Sequence, residues 1–360
     1  MVEPEVYHEL TDEEKKIVDR IRPSRIFLPM FFGLLAIAYL LWRQFDPEAF
    51  AKVNWTYHTL AWVGVAVGLQ VIRHLSYAAR LKLLSDGEFS WLKSIELIFI
   101  WEFSSAVSPT SLGGSIVAFF MLAQEKLSTA RTATIVIYTI IMDTLFFIIV
   151  IPLLYIIYGA QVIRPDITSF GDSGGWGGTL VAFLVAMILY GGFFSYGMFV
   201  NPKGLKYLLK VITSIKWLKR WRESAMELGD EIILASRDIK GRSMFFHLGG
   251  FLTTASAWSC RFLVINAFII AFVPSTALDI VNQGLLYGRS GYMFLIMAFS
   301  PTPGSSGLAE MVFGGFLSDF VPIGFALLLA FMWRLLTYYF YLFAGVIVIP
   351  NWIRKVLNRR

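Results

Sequence analysis

A stretch that cannot stay helical interrupts an apolar segment late in the chain. Ser300-Pro301-Thr302-Pro303-Gly304-Ser305-Ser306-Gly307-Leu308-Ala309-Glu310 follows an apolar run at 292–299 and precedes another at 311–317. Two prolines and two glycines stop a helix, and a carboxylate, Glu310, comes within a turn of the last glycine. The chain has 360 residues, 57% hydrophobic and 16% charged, which is more apolar than a soluble domain needs. Several runs reach the roughly 20 apolar residues that cross a bilayer. Hydrocarbon cannot hydrogen-bond broken backbone, so the interruption has to be buried in protein or line a wet cavity. Ser108-Pro109-Thr110-Ser111-Leu112-Gly113-Gly114 repeats its opening Ser-Pro-Thr 192 residues earlier. The pair predicts two breaks that meet at mid-membrane and form the working site.

The other elements follow along the chain. Residues 1–25 carry seven acids and five bases, with no cleavable leader pattern, and are expected as a cytoplasmic segment. Residues 26–42 predict a first span and 58–84 a second, which ends in Arg73, Arg80 and Lys82. Arg73 is expected to snorkel to the interface. Residues 94–107 are apolar but hold Glu96 and Glu102. At ~1.5 Å per residue they reach ~21 Å, short of a ~30 Å hydrocarbon core. A short run at 115–124 follows the first break, and 133–158 spans with Asp143 inside it. A Gly-rich loop, 159–177, leads to spans at 178–200 and 244–273, the second carrying Arg261. Residues 279–299 enter the second break and 305–317 leave it; 321–349 spans with Arg334 near its middle, and 350–360 is a basic tail.

Topology follows from charge. The net charge of +6 is accounted for by basic loops on the cytoplasmic side, so no nucleic-acid partner is expected. The N-terminus, 80–93, 126–131, 201–243 and the tail are assigned to the cytoplasm, and 159–177 to the outside. Residues 94–125 then begin and end inside, and 279–317 begin and end outside. Two short arms joined by a break make each a re-entrant hairpin. The expected fold is an all-α polytopic membrane domain, 26–349, with six full spans and two re-entrant hairpins. It forms an inverted repeat of span, span, hairpin, span, with halves 26–158 and 178–349. Asp143 lies 35 residues after Ser108 and Arg334 lies 34 after Ser300, so matching positions carry opposite charges. Residues 203–240 hold Leu205, Leu208, Leu209 and Ile212 at helical spacing, interleaved with lysines and followed by Trp217 and Trp221. That pattern predicts an amphipathic helix on an anionic leaflet.

The candidate chemistry lies at the breaks. Ser115, and Ser305 or Ser306, are expected to cap the returning helices, whose free N–H groups suit a phosphate. Pro109, Gly113, Gly114, Pro301, Pro303, Gly304 and Gly307 would hold the breaks. Glu102, Asp143, Arg261, Arg334 and Glu310 are intramembrane charges, each costing about 2.5–3.5 kcal/mol at a helix centre, so each asks for a partner or a wet path. Glu310 could pair with Arg334 or Arg261, and Arg289 would meet a headgroup from outside. The single cysteine, Cys260, rules out an internal disulfide, and no metal-ligand spacing or cofactor motif is found. Gly171-Asp172-Ser173-Gly174-Gly175 copies a serine-protease string but falls in a short loop. Gly304-Ser305-Ser306-Gly307 fits an intramembrane serine-protease pattern. No histidine follows His247, however, and His74 and His247 would need another topology.

The segments 108–125, 132–147 with Asp143, and Pro301-Thr-Pro-Gly-Ser-Ser-Gly-Leu-Ala-Glu310 resemble the flippase-like membrane family. This is the lysylphosphatidylglycerol synthase transmembrane region, also catalogued as a UPF0104-type family. The resemblance covers about residues 20–350. It implies a multi-pass protein of the bacterial inner membrane, with both termini cytoplasmic, that moves a phospholipid or a related anionic or aminoacylated amphiphile between leaflets. In larger relatives the module precedes a soluble aminoacyl-transferase domain. The chain stops at Arg360, so synthase activity is not expected. The alternative is a membrane enzyme or accessory subunit acting on lipid-linked substrates. A homodimer or a lipid-synthesising enzyme is the expected kind of protein partner.

Overall fold

The computed structural model describes residues 48, 51, 53–108, 111–167, 176–215, 217–276, 278–300 and 302–358. The segment 1–25, the span 26–42, Pro109, Pro301 and the 171–175 string lie outside them. Among the described residues the regular structure is entirely helical. The helices are α1 (Tyr57–Leu84), α2 (Trp91–Val107), α3 (Ser111–Gln124), α4 (Thr129–Tyr158), α5 (Trp176–Ser195), α6 (Pro202–Ile212), α7 (Arg222–Ile239), α8 (Met244–Phe272), α9 (Ile280–Met297), α10 (Leu308–Phe316), α11 (Ile323–Arg334) and α12 (Phe340–Leu357).

Short polar residues set where these helices start. Thr56, Ser90, Ser128 and Ser243 each accept a backbone N–H three residues on with a side-chain hydroxyl. Asn201 does so with its amide oxygen. Asp279 accepts the N–H groups of Val281 and Asn282 at 3.0 Å. Each satisfies a donor that the first turn leaves open. The side chain and backbone of Asn282 also hold the Asp279 carboxyl below its usual range.

Among the described residues five helices are long and apolar enough to cross a membrane: Tyr57–Leu84, Thr129–Val162, Val181–Val200, Met244–Phe272 and Phe325–Val356. They correspond to five of the six expected spans. The sixth is 26–42. The last span is one rod, α11 running into α12 through a π-helical turn at Leu335–Tyr339. α1 and α8 pair more extensively than any other two helices. Small residues let them approach: Ala66 and Ala257 are fully buried, and the Ser76 and Ser256 hydroxyls hydrogen-bond at 2.9 Å.

Ion pairs gather the loops into two ends. Arg242 takes both oxygens of Asp86 at 2.7 Å, and Arg131 pairs with Asp86 at 2.5 Å and Asp238 at 3.2 Å. Lys93 pairs with Glu96 at 3.1 Å and also with Glu125, and Lys355 pairs with Glu96 at 2.8 Å. One end therefore collects segments from 80–93, 126–131 and 201–243 with the C-terminal helix. At the other end of α4, the Tyr158 hydroxyl donates to the Ile280 carbonyl at 3.4 Å and Arg289 Nε to the Gln161 carbonyl at 3.0 Å.

The single amphipathic helix expected over 203–240 is two helices. The Thr213 and Ser214 hydroxyls turn back onto the Leu209 and Lys210 carbonyls at 2.7 Å. Such bonds offer the backbone an alternative to continuing the helix, and α7 starts afresh at Arg222. The two pack closely at Gly229, where a Cβ would stand 2.7 Å from Lys206 Cγ.

Candidate functional site

The two interruptions differ in construction. In the first, α2 ends at Val107 with Ser108 as its C-cap, and α3 is already under way from Ser111. Gly113, Gly114 and Ser115 lie inside α3. Gly113 and Gly114 therefore do not hold the break, and Ser115 is not an N-cap. Gly114 instead permits a close helix crossing, because a Cβ there would stand 2.0 Å from Ser105 Oγ. The second break is longer. Pro303 opens a single 3₁₀ turn, Gly304 and Ser305 take φ of +55° and +58°, and Gly307 takes φ of +86° as N-cap of α10.

The expected serine caps of α10 are likewise corrected. Ser305 Oγ donates back to the Met297 carbonyl at 2.8 Å, and Ser306 Oγ to the Pro303 carbonyl at 3.0 Å. The left-handed turn at 304–305 carries the Ser305 hydroxyl to the incoming arm, while that of Ser306 stays within the break. Glu310 does the capping: its Oε2 accepts the Gly307 N–H at 2.7 Å.

The breaks meet. A cavity of about 210 Å³ is lined by Glu102, Ser105, Ala106 and Ser108 from the first and by Ser300, Thr302, Gly304 and Ser305 from the second. Trp258 and Arg261 of α8, Phe294 of α9, and Trp333, Arg334, Thr337, Tyr338 and Tyr341 of the last span complete the wall. The π turn, a feature common at functional sites, carries Thr337 and Tyr338 to the cavity. The Tyr338 hydroxyl donates to the Ala106 carbonyl at 3.2 Å and ties the last span to the first break.

Of the expected charges, Glu102, Arg261 and Arg334 face this cavity. Glu102 sits between two cations, Arg73 at 2.5 Å and Arg261 at 3.3 Å. Arg73 does not snorkel. It is fully buried, because its guanidinium turns into the helix interface and stacks over Tyr77 and Tyr341, each at 5.2 Å. Arg334 stacks over Tyr338 at 3.9 Å and donates to Ser306 Oγ at 3.3 Å. Its Nε lies 3.8 Å from Glu310 Oε1, too far for a hydrogen bond.

Asp143 and Arg289 sit elsewhere. Asp143 pairs with Arg80 at 2.6 Å and accepts the Trp258 indole N–H at 3.1 Å. Its charge is answered by Arg80. Arg80 also donates to Thr254 at 2.9 Å and stacks over Tyr77 at 4.8 Å. Arg261 stacks over Trp258 at 4.8 Å. The contacts therefore close a circuit: Arg73, Glu102, Arg261, Trp258, Asp143, Arg80, Tyr77 and back to Arg73. Arg289 is buried and ion-paired to Asp319, so it is a clasp between α9 and the chain beyond α10 and not an open headgroup ligand. Sequence reasoning missed the roles of Arg80, Asp319, Tyr77 and Trp258. For Arg80, Tyr77 and Trp258 the only signal was polarity or aromaticity inside spans, and Asp319, between α10 and the last span, carried none.

The histidines of the protease alternative are engaged with tyrosines. His74 Nδ1 lies 3.0 Å from the Tyr341 hydroxyl and His247 Nδ1 2.7 Å from that of Tyr138. Neither lines the cavity that contains Ser305.

No solved structure matches the chain. A UPF0104 membrane protein of Archaeoglobus fulgidus is 24% identical over 339 residues, covering 87% of this chain and 93% of that relative. The lysylphosphatidylglycerol synthase TM region matches residues 27–345, which takes in both breaks and every charge around the cavity. With its long apolar helices, the chain is a multi-pass membrane protein that belongs to the lysylphosphatidylglycerol synthase TM region family.

Proposed function

We propose that this chain is a flippase-like lipid transporter with no catalytic role of its own. A phospholipid or a related anionic or aminoacylated amphiphile passes its headgroup through the cavity while its acyl chains stay in lipid. One observation carries this reading: the two breaks line a single cavity that Arg261 and Arg334 face. Broken helices and intramembrane charge are where transporters place their substrates.

Two clasps support re-entrant hairpins entering from opposite ends. Lys93, near the start of α2, pairs with Glu125 beyond the end of α3, so those arms leave and return together. Arg289, midway along α9, pairs with Asp319 beyond the end of α10, which ties that entering arm to its return. The long α1–α8 pairing is the contact that second spans of two inverted halves would share. With 26–42 as a sixth span, these features support the repeat of 26–158 and 178–349. The end rich in Arg131, Arg242 and Lys355 is then cytoplasmic, as are both termini, in a bacterial inner membrane. A homodimer or a lipid-synthesising enzyme is the protein partner this reading allows.

Glu310 and Arg334 form the gate. The Arg334 Nε contact with Glu310, at 3.8 Å, is too long to be a hydrogen bond, so an arriving headgroup can take that nitrogen over without breaking one. The variant Glu310→Gln still offers a carbonyl to the Gly307 N–H but removes the charge facing Arg334. Expression close to wild type is expected, with lipid flipping in proteoliposomes reduced to the protein-free level. Normal flipping by this variant would remove Glu310 from the gate.

The face of α6 supplies a leaflet contact. Leu208, Val211 and Ile212 are each 40–48% exposed beside Lys203, Lys206 and Lys210. Apolar side chains flanked by lysines suit an anionic interface. A spin label at Val211 in nanodiscs is expected to be relaxed more by oxygen than by a water-soluble nickel chelate; the reverse order would place this helix in solvent.

A further inference from the structure

A lysyl ester of phosphatidylglycerol carries two ammonium groups against one phosphodiester and is net cationic. The cavity is built for the opposite charge. Two arginines, Arg261 and Arg334, line it against one carboxylate, Glu102, and behind that wall Arg73 pairs with Glu102 and Glu310 faces Arg334. Both carboxylates already serve the protein. Glu102 is shared by Arg73 and Arg261, and Glu310 accepts the Gly307 N–H and faces Arg334. A ligand ammonium would have to take a carboxylate from a buried arginine, which leaves that arginine uncompensated.

The unmet groups are donors. Arg334 Nε is buried without a hydrogen-bond acceptor, as are Nε and Nη1 of Arg73. Arg334 is 3% exposed and lines the cavity. Buried donors without acceptors are costly, and an anion arriving at Arg334 relieves that cost. The aromatic faces tell the same story. A cation would seek the rings of Trp258, Phe294 or Tyr338. Arg261 already covers the first two at 4.8 Å and 5.4 Å, and Arg334 covers the third at 3.9 Å. The rim hydroxyls of Thr302 and Thr337 already donate to the Ser306 and Trp333 carbonyls at 3.0 Å and 2.8 Å, so recognition of the anion falls to the arginines. The volume of about 210 Å³ is below the ~300–1,000 Å³ of pockets for drug-sized ligands, so the headgroup is compact.

We infer that the cavity binds a compact, net-anionic phosphodiester headgroup through Arg334 and Arg261, and rejects the same headgroup once an aminoacyl cation is attached. This rests on the reading of the cavity as a lipid-headgroup site, but it concerns binding and not movement across the bilayer.

Thermal-shift titrations of the purified full chain in a neutral detergent test it. The probes are short-chain phosphatidylglycerol, its lysyl ester, phosphatidylcholine and inorganic phosphate. Phosphatidylglycerol is expected to stabilise the protein, with the lysyl ester and phosphatidylcholine at least ten-fold weaker. Arg334→Gln and Arg261→Gln should each weaken phosphatidylglycerol binding by roughly ten- to one-hundred-fold, the worth of a charged hydrogen bond. Arg334→Lys, which keeps the charge, should recover part of the loss. Arg261 is partly exposed, so its variant tests the idea even if Arg334→Gln fails to fold. Equal or tighter binding of the lysyl ester, or unchanged binding in both glutamine variants, would overturn the inference. A full shift with inorganic phosphate alone would overturn the lipid source. Selective, arginine-dependent binding without flipping in proteoliposomes would leave this inference standing while removing the transport reading.

Discussion

Glu102→Gln is expected to cost about 3–5 kcal/mol of stability, the usual price of breaking a buried ion pair from one side. Among the described residues Glu102 is the only carboxylate within ion-pair reach of Arg73, and Arg73 is fully buried. An amide can accept one hydrogen bond from Arg73 but cannot balance its charge. The loss spreads further, because Glu102 also holds Arg261 at 3.3 Å and so one side of the cavity. A large fall in melting temperature in detergent should accompany lipid flipping at the protein-free level. The double variant Arg73→Met, Glu102→Leu separates the two effects. Replacing a whole buried pair by apolar groups is often neutral, so its melting temperature should return toward wild type while flipping stays lost. Asp143→Asn should destabilise less than Glu102→Gln, since the Asp143 side chain is 29% exposed and water can screen Arg80. Flipping by the double variant at the wild-type rate would make Glu102 a purely structural residue.

The contrast between Arg73 and Glu102 marks where the sequence stops being informative. Helix starts are set by bonds within three residues, from Ser, Thr, Asn and Asp at 56, 90, 128, 201, 243 and 279, a local signal that the expected caps at 115 and 305–306 do not use. The interruptions near 108 and 300 were readable because proline and glycine act on their own backbone. Partnerships between helices were not. Arg73 and Arg80 sit toward the C-terminal end of a span and look like interfacial cations. Their actual partners, Glu102 and Asp143, lie on other helices, and nothing local fixes which way a guanidinium turns. Gly113-Gly114 misled for a related reason: glycine marks a break or a close helix crossing, and only the Ser105 contact decides between them. The serines at 305–306 were displaced as caps by a left-handed turn at 304–305. That turn is invisible unless a non-glycine residue is allowed positive φ.

The same turn gives the second large effect, at Gly304. A Cβ there would stand 2.0 Å from the Tyr338 ring, and the backbone already has φ of +55°. Left-handed backbone costs a side-chain-bearing residue about 1–2 kcal/mol, and overpacking typically adds about 1–3 kcal/mol. The ring cannot simply swing aside: its hydroxyl holds the Ala106 carbonyl at 3.2 Å, and Arg334 rests on its face at 3.9 Å. Gly304→Ala should therefore destabilise by about 2–5 kcal/mol and pull the two breaks apart, with loss of flipping. Gly307→Ala is the control, because its φ is +86° but a Cβ there meets nothing within 4 Å. It should show only the conformational cost of about 1–2 kcal/mol. Adding Tyr338→Leu to Gly304→Ala frees the space and should recover the steric part of the stability. Flipping should stay lost, since the tie from Tyr338 to Ala106 goes with the ring. Equal melting temperatures for the two single alanine variants would mean that Tyr338 yields freely. The last span would then not hold the second break against the first.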